Sequence, residues 1–173
     1  MTDKKENNPL FDGQREKAGS STFDKYSFQY HWALFRVISN HADQKEYAVI
    51  IELHEDVVVS NSLEVDKAKF EFNQVKTNKA SFNTYQLVEK KKSGSSVLGK
   101  LIKGVAGKPY ASKIDTLNLI ATQKFNLELE KKDVDLKIIR KEDLSKGQLA
   151  DLERELKKEI DLDELPSNIR FIF

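Results

Sequence analysis

A chain of 173 residues, 39% hydrophobic and 33% charged, can bury one sizeable core and is too apolar to be intrinsically disordered. Its net charge of +1 excludes a global electrostatic pull on nucleic acid, and the absence of cysteine excludes disulfides and thiolate metal sites, as fits a cytosolic protein. No apolar run approaches the roughly 20 residues that span a bilayer, and the polar first eight residues lack a signal peptide's apolar core, so no membrane role is expected.

Residues 1–20 are polar, with Gly13 and Gly19, and read as a flexible arm ahead of a domain over residues 21–173. Thr22 or Asp24 is placed to cap a helix running to about residue 40. Its core stripe is predicted as Phe28, Trp32, Phe35 and Ile38, with Gln29 and Arg36 on an adjoining face and Arg36 read as a surface residue. Residues 47–53 are β-branched and apolar and predict a central strand. Residues 56–60 and 68–76 predict two more, with turn formers between them at 61–66. A hairpin centred there pairs positions whose numbers sum to about 130–132, which sets Asp56 opposite Gln74 or Lys76.

Farther along, residues 82–92 read as a helix, broken by Ser93-Gly94-Ser95-Ser96. A second helix follows over 97–105, with Leu98, Leu101, Ile102 and Val105 as its apolar face, ended by Gly107-Lys108-Pro109. A buried strand is expected at 117–122 and a short one within 135–140. Ser145 caps a helix to about residue 160 whose stripe is Leu149, Leu152, Leu156 and Ile160. Residues 169–173 form a last strand, either paired internally or left at the cut end of a longer protein. The order is α-β-β-β-α-β, an α/β fold with a mixed central sheet flanked by helices.

The third strand carries the chemistry. Phe70, Phe72, Gln74 and Lys76 share one face, and an unpaired Lys on a core strand is costly. A carboxylate and a hard cation beside it remove that difficulty. Asp56, the Gln74 amide oxygen and the Val75 carbonyl form an oxygen ligand set suited to Mg²⁺. Lys76 is then positioned to orient or deprotonate a water and to pair with phosphate oxygens. Glu52 and His54 share the Asp56 face as supporting candidates, Glu55 is expected to point the other way, and Thr77 reads equally as a phosphate contact or a strand end. Seven lysines between Glu89 and Lys113 form a local basic segment. Within it, Lys100 and Lys103 are candidates for the DNA backbone.

A helix, an Asp at the start of a second strand and a (Glu/Gln)-x-Lys on a third resemble the PD-(D/E)XK nuclease superfamily, where Gln replaces the acid in Mrr-like restriction enzymes. More narrowly, Phe28-Gln29-Tyr30-His31-Trp32-Ala33-Leu34, residues 52–59 and Asn73-Gln74-Val75-Lys76-Thr77 resemble the N-terminal nuclease domain of CD-NTase-associated double-stranded DNA endonucleases of CBASS, with related domains in Lamassu effectors. The resemblance implies a restriction-endonuclease-like core and Mg²⁺-dependent cleavage, with Mn²⁺ as the substitute metal. It also implies a cytoplasmic bacterial antiphage effector, with Asp56, Gln74 and Lys76 as catalytic residues and Gln29 near the site. Its expected partners are double-stranded DNA and either further copies of itself or a regulatory complex with a sensor domain or an SMC-like subunit. Two readings compete with this one: a degenerate nuclease fold that binds DNA or assembles without cutting, and a protein-interaction domain using its acidic C-terminal helix.

Overall fold

The computed structural model describes residues 18–43, 46–91 and 94–173. It contains helices α1 (Ala18–Ala42), α2 (Thr84–Val88), α3 (Val97–Val105) and α4 (Lys146–Lys157). The strands are β1 (Ala48–Leu53), β2 (Glu55–Ser60), β3 (Phe70–Lys76), β4 (Phe82–Asn83), β5 (Ile114–Ala121), β6 (Phe125–Asn126), β7 (Ile138–Arg140) and β8 (Ile169–Ile172). The mixed α/β architecture expected from the sequence is present. Six strands form one sheet in the order β1-β2-β3-β5-β8-β7, and β4 pairs with β6 in a small separate ladder. The arm read into residues 1–20 lies outside the described residues up to position 17, while 18–20 already belong to α1.

Hairpins make the antiparallel pairs β1–β2 and β2–β3, whereas β3–β5 and β5–β8 are parallel. A parallel connection must cross the sheet, usually through a helix. The first crossover carries α2 and α3, and the second carries α4. Both deliver the chain to the same face, where Leu98, Leu101, Leu152 and Leu156 pack with Phe72, Leu119 and Phe171. Helix α1 covers the opposite face, over Val57, Val59, Val75 and Ile120. Strand β5 is therefore buried from Thr116 to Ala121, and its run Leu117-Asn118-Leu119-Ile120 is close to the continuous apolar stretch such a strand requires.

Several expectations are corrected. Helix α1 begins before Thr22 and Asp24, so neither caps it. Its sheet side is Gln29 and Ala33, with Phe28 and Trp32 half-buried, while Phe35 and Ile38 are exposed at 52% and 59%. Arg36 is no free surface residue: its Nη2 donates to both Glu71 oxygens at 2.7 and 2.8 Å. Strand β1 lies at the sheet's edge and not its centre. The helix expected at 82–92 shrinks to one turn, because Phe82 and Asn83 pair with β6 and Asn83 then caps α2. The last strand pairs internally, between β5 and β7. Among the described residues no helix is long and apolar enough to cross a membrane.

Candidate active site

The parallel pairing of β3 with β5 runs on to Lys76↔Ala121. The β2–β3 ladder stops earlier, at Val57↔Asn73, with the register sum of 130 that the hairpin predicted. Beyond that pair β2 parts from β3, and side chains take over the pairing. Asp56 Oδ2 accepts the Val75 N–H at 2.7 Å. Gln74 Nε2 donates to Glu55 Oε2 at 3.3 Å. The splay thus frees polar groups from backbone pairing at the carboxyl end of β3, the end where ligands settle in open α/β sheets.

Two left-handed residues shape the connection from β1: Glu52 at φ 58° and His54 at φ 65°. Non-glycine residues in that region cost about 1–3 kcal/mol each and cluster at functional sites. Gln29, only 5% exposed, reaches from α1 and donates to the Asp56 carbonyl at 2.9 Å and to the Glu52 carboxylate. Asp56 then faces a cleft shared with Tyr26, Gln29, Glu52, Val75, Lys76 and Thr77. Around the same two acids, an adjoining depression is lined by Glu52, His54, Glu55, Asp56 and Lys100.

The electrostatics are those of a site under tension. Burial pushes the Glu55 carboxyl up to about 7, and the Asp56 charge adds to the rise, while Lys100 and Lys76 oppose it. Burial likewise lowers Lys76, helped by the Lys100 charge and resisted by Asp56 and Glu55. Gln74 is fully buried, and its Oε1 has no hydrogen-bond partner. A buried acceptor without a donor typically costs about 1–3 kcal/mol, a cost that any donor or cation reaching this oxygen would relieve.

The sequence-predicted residues therefore gather, with one exchange. Asp56, Val75, Lys76, Thr77, Gln29 and Glu52 share the cleft, Lys100 lines the adjoining depression, and the fully buried Gln74 lines neither. The carboxylate that meets Gln74 is Glu55, which strand alternation had turned the other way. Alternation fails there because Asp56 lies past the last β2–β3 ladder pair. A run of two acids at a strand start was the available signal. Lys103 is held instead by Glu159, at 3.2 Å. His54 packs against Tyr110 at a tilt of 42°, with ring centroids 5.0 Å apart.

A family model described as the Cap4 dsDNA endonuclease domain matches residues 17–173. The chain belongs to that family. No curated protein and no solved structure matches it. In this Cap4-family chain several described lysines of the basic segment are engaged elsewhere: Lys90 donates to the Lys158 carbonyl, Lys91 pairs with Glu89 and Lys113 bonds the Val65 carbonyl, while Lys100 lies beside the acids.

Proposed function

We propose that this domain is a metal-dependent endonuclease that cuts double-stranded DNA in the bacterial cytoplasm as an antiphage effector, and that assembly with further copies or a partner activates it. The observation that carries the reading is the unpartnered Oε1 of the fully buried Gln74, whose amide nitrogen bonds Glu55, directly before the cleft residues Val75 and Lys76 in the β3 sequence. Among the described residues no three His, Cys, Asp or Glu side chains converge on a common point, so a cation there needs amide and backbone oxygens as well as carboxylates. Asp56, the Gln74 amide oxygen and the Val75 carbonyl supply oxygen donors of the kind Mg²⁺ or Mn²⁺ takes, and Glu55 adds a second carboxylate. When bound, such a cation neutralises charge on the phosphoryl oxygens and acidifies a water.

The chain's own groups account for the rest. Lys76, with its proton loosened by burial, is suited to orient a water and to exchange a proton with it at Nζ. Its charged form stabilises the negative charge developing on the phosphate. Thr77 in the cleft and Lys100 in the adjoining depression are placed to position a DNA backbone rather than to read bases. Gln29 holds Glu52 and the Asp56 backbone in place from α1.

Supercoiled plasmid incubated with the protein and Mg²⁺ tests this directly. Wild type is expected to cut, and Asp56→Ala and Lys76→Ala are expected to lose at least a hundredfold in rate while keeping the wild-type circular dichroism spectrum. Cleavage that survives both substitutions rejects the site. One observation favours a non-catalytic DNA-binding or assembly module instead: Asp56 Oδ2 is already engaged by the Val75 N–H. Salt-dependent DNA binding without cutting, under every divalent metal tried, would select that reading.

A further inference from the structure

Helix α1 is apolar on two sides. One side lies on the sheet. On the other, Phe23, Tyr26, Tyr30, Leu34 and Ile38 follow at spacings of three or four residues, which aligns them in one stripe along the helix. Their exposures run from 47% at Tyr26 to 71% at Phe23. A helix apolar all round is normally covered all round. At roughly 150–250 Å² per large aromatic side chain, the stripe offers on the order of 500 Å². That reaches the upper range of the largest patch on a typical monomer. It is also well over half of the ~800 Å² each partner gives to a standard interface.

The chemistry of the stripe narrows its occupant. From Phe23 to Ile38 the formally charged residues are Asp24 and Lys25, which offset one another at one end, and Arg36, whose side chain is spent inward on Glu71. The stripe itself therefore carries no net positive charge to neutralise a phosphate, which disfavours nucleic acid. It has no like charges to repel a copy of itself either. The stripe is also self-complementary. With a two-fold axis at Tyr30, Phe23 of one copy meets Ile38 of the other, and Tyr26 meets Leu34, so a ring falls against an aliphatic chain along its length.

We propose that this stripe is an isologous interface, α1 against antiparallel α1, between two copies of the chain. This deepens the assembly part of the function proposed above, and it is tested without metal or DNA, so its failure is separate from failure of the nuclease reading. Because Tyr26 also borders the cleft, such a dimer holds both clefts close to the shared helices.

Sedimentation equilibrium of the 173-residue chain at roughly 1–100 μM is the experiment. The expected result is a species of twice 19.9 kDa. Tyr30→Glu and Leu34→Glu place charges at and beside the axis and are expected to weaken association at least a hundredfold while keeping the wild-type circular dichroism spectrum and losing the concentration dependence of Tm. Leu63→Glu, at a site 67% exposed but off the stripe, is expected to stay dimeric. A wild-type chain that is monomeric throughout overturns the proposal, as happens if the stripe serves another protein or DNA. So does a dimer that survives both stripe substitutions, or one lost equally on changing Leu63.

Discussion

Glu159 offers the sharpest test of the packing that supports the site. It lies just beyond α4, and its side chain, 2% exposed, reaches across to the start of α3. There Oε2 accepts the N–H of Ser96, the buried N-cap of α3, at 3.0 Å, and Oε1 stands 3.2 Å from Lys103 Nζ. A hydrogen bond to a charged acceptor contributes about 1.5–3 kcal/mol, and an anion at a helix N-terminus about 0.3–1 kcal/mol more. Glu159→Ala, which also strands the Ser96 N–H, is therefore expected to cost about 3 kcal/mol, or roughly 6–12 °C in Tm for a chain of this length. Glu159→Gln keeps an acceptor and loses only the charge, so about 1 kcal/mol is expected. Burial pushes the Glu159 carboxyl up, but the Ser96 hydrogen bonds and Lys103 outweigh it and hold the group below its ordinary 4.5. Stability from a depressed carboxyl is present above the unfolded value and lost as pH falls through the folded one. The gap between wild type and Glu159→Gln is thus expected at pH 7 and should close below pH 4.5. Urea unfolding measures all three. A Glu159→Ala variant within about 0.5 kcal/mol of wild type, or a gap that widens in acid, refutes the reasoning.

The same contact constrains Gly99, since a Cβ there would stand 2.3 Å from Glu159 Oε1 and displace that carboxylate from Ser96. Gly99→Ala should therefore destabilise by about 1–3 kcal/mol in a melt, against the ~1 kcal/mol gain that helix propensity alone predicts. Arg36 and Glu71 join α1 to β3 through two short charged hydrogen bonds. A double-mutant cycle with Arg36→Met and Glu71→Gln should return a coupling of about 1–2 kcal/mol, and a value near zero would mean the pair is solvated. At the candidate site, Gln74→Met keeps the volume and removes the amide oxygen. It should weaken Mn²⁺ binding, measured by calorimetry, at least tenfold while changing unfolding stability by less than about 1 kcal/mol, because removal of the unpartnered oxygen offsets loss of the long Nε2 bond to Glu55.

Legibility in the sequence followed the kind of signal. Helix α3 matched its expected span because its ends are local, with Ser96 as cap and Gly107 just past the last turn, and four apolar residues at helical spacing fix its face. The β2–β3 register was legible for the same reason: a hairpin is decided by its own turn. Helix α1 was misread because it carries two apolar stripes, and nothing local says which of them meets the sheet. Phe35 and Ile38 fit a core face as well as Phe28 and Trp32 do, and only the pairing of Gln29 with β1 and β2, and of Arg36 with β3, settles the rotation. Residues 82–92 failed through a partner 43 residues away: Phe82 pairs with Phe125 before any helix can start.

The candidate site shows both kinds of signal at once. The Gln-x-Lys pattern on β3 was readable because its oddity is local, an amide and an ammonium at the end of an aromatic strand. Its carboxylate partner was not, because extrapolating a hairpin assumes that the ladder continues. Here it ends one residue short of Asp56, and the Val75 N–H that β2 no longer bonds goes to the Asp56 side chain. The same departure brings Glu55 to Gln74. A site of this kind needs two strands to part, since groups satisfied by a neighbouring backbone are not free to hold a ligand. The residues most useful for chemistry therefore sit where regular pairing stops, which is also where a periodicity argument stops being valid.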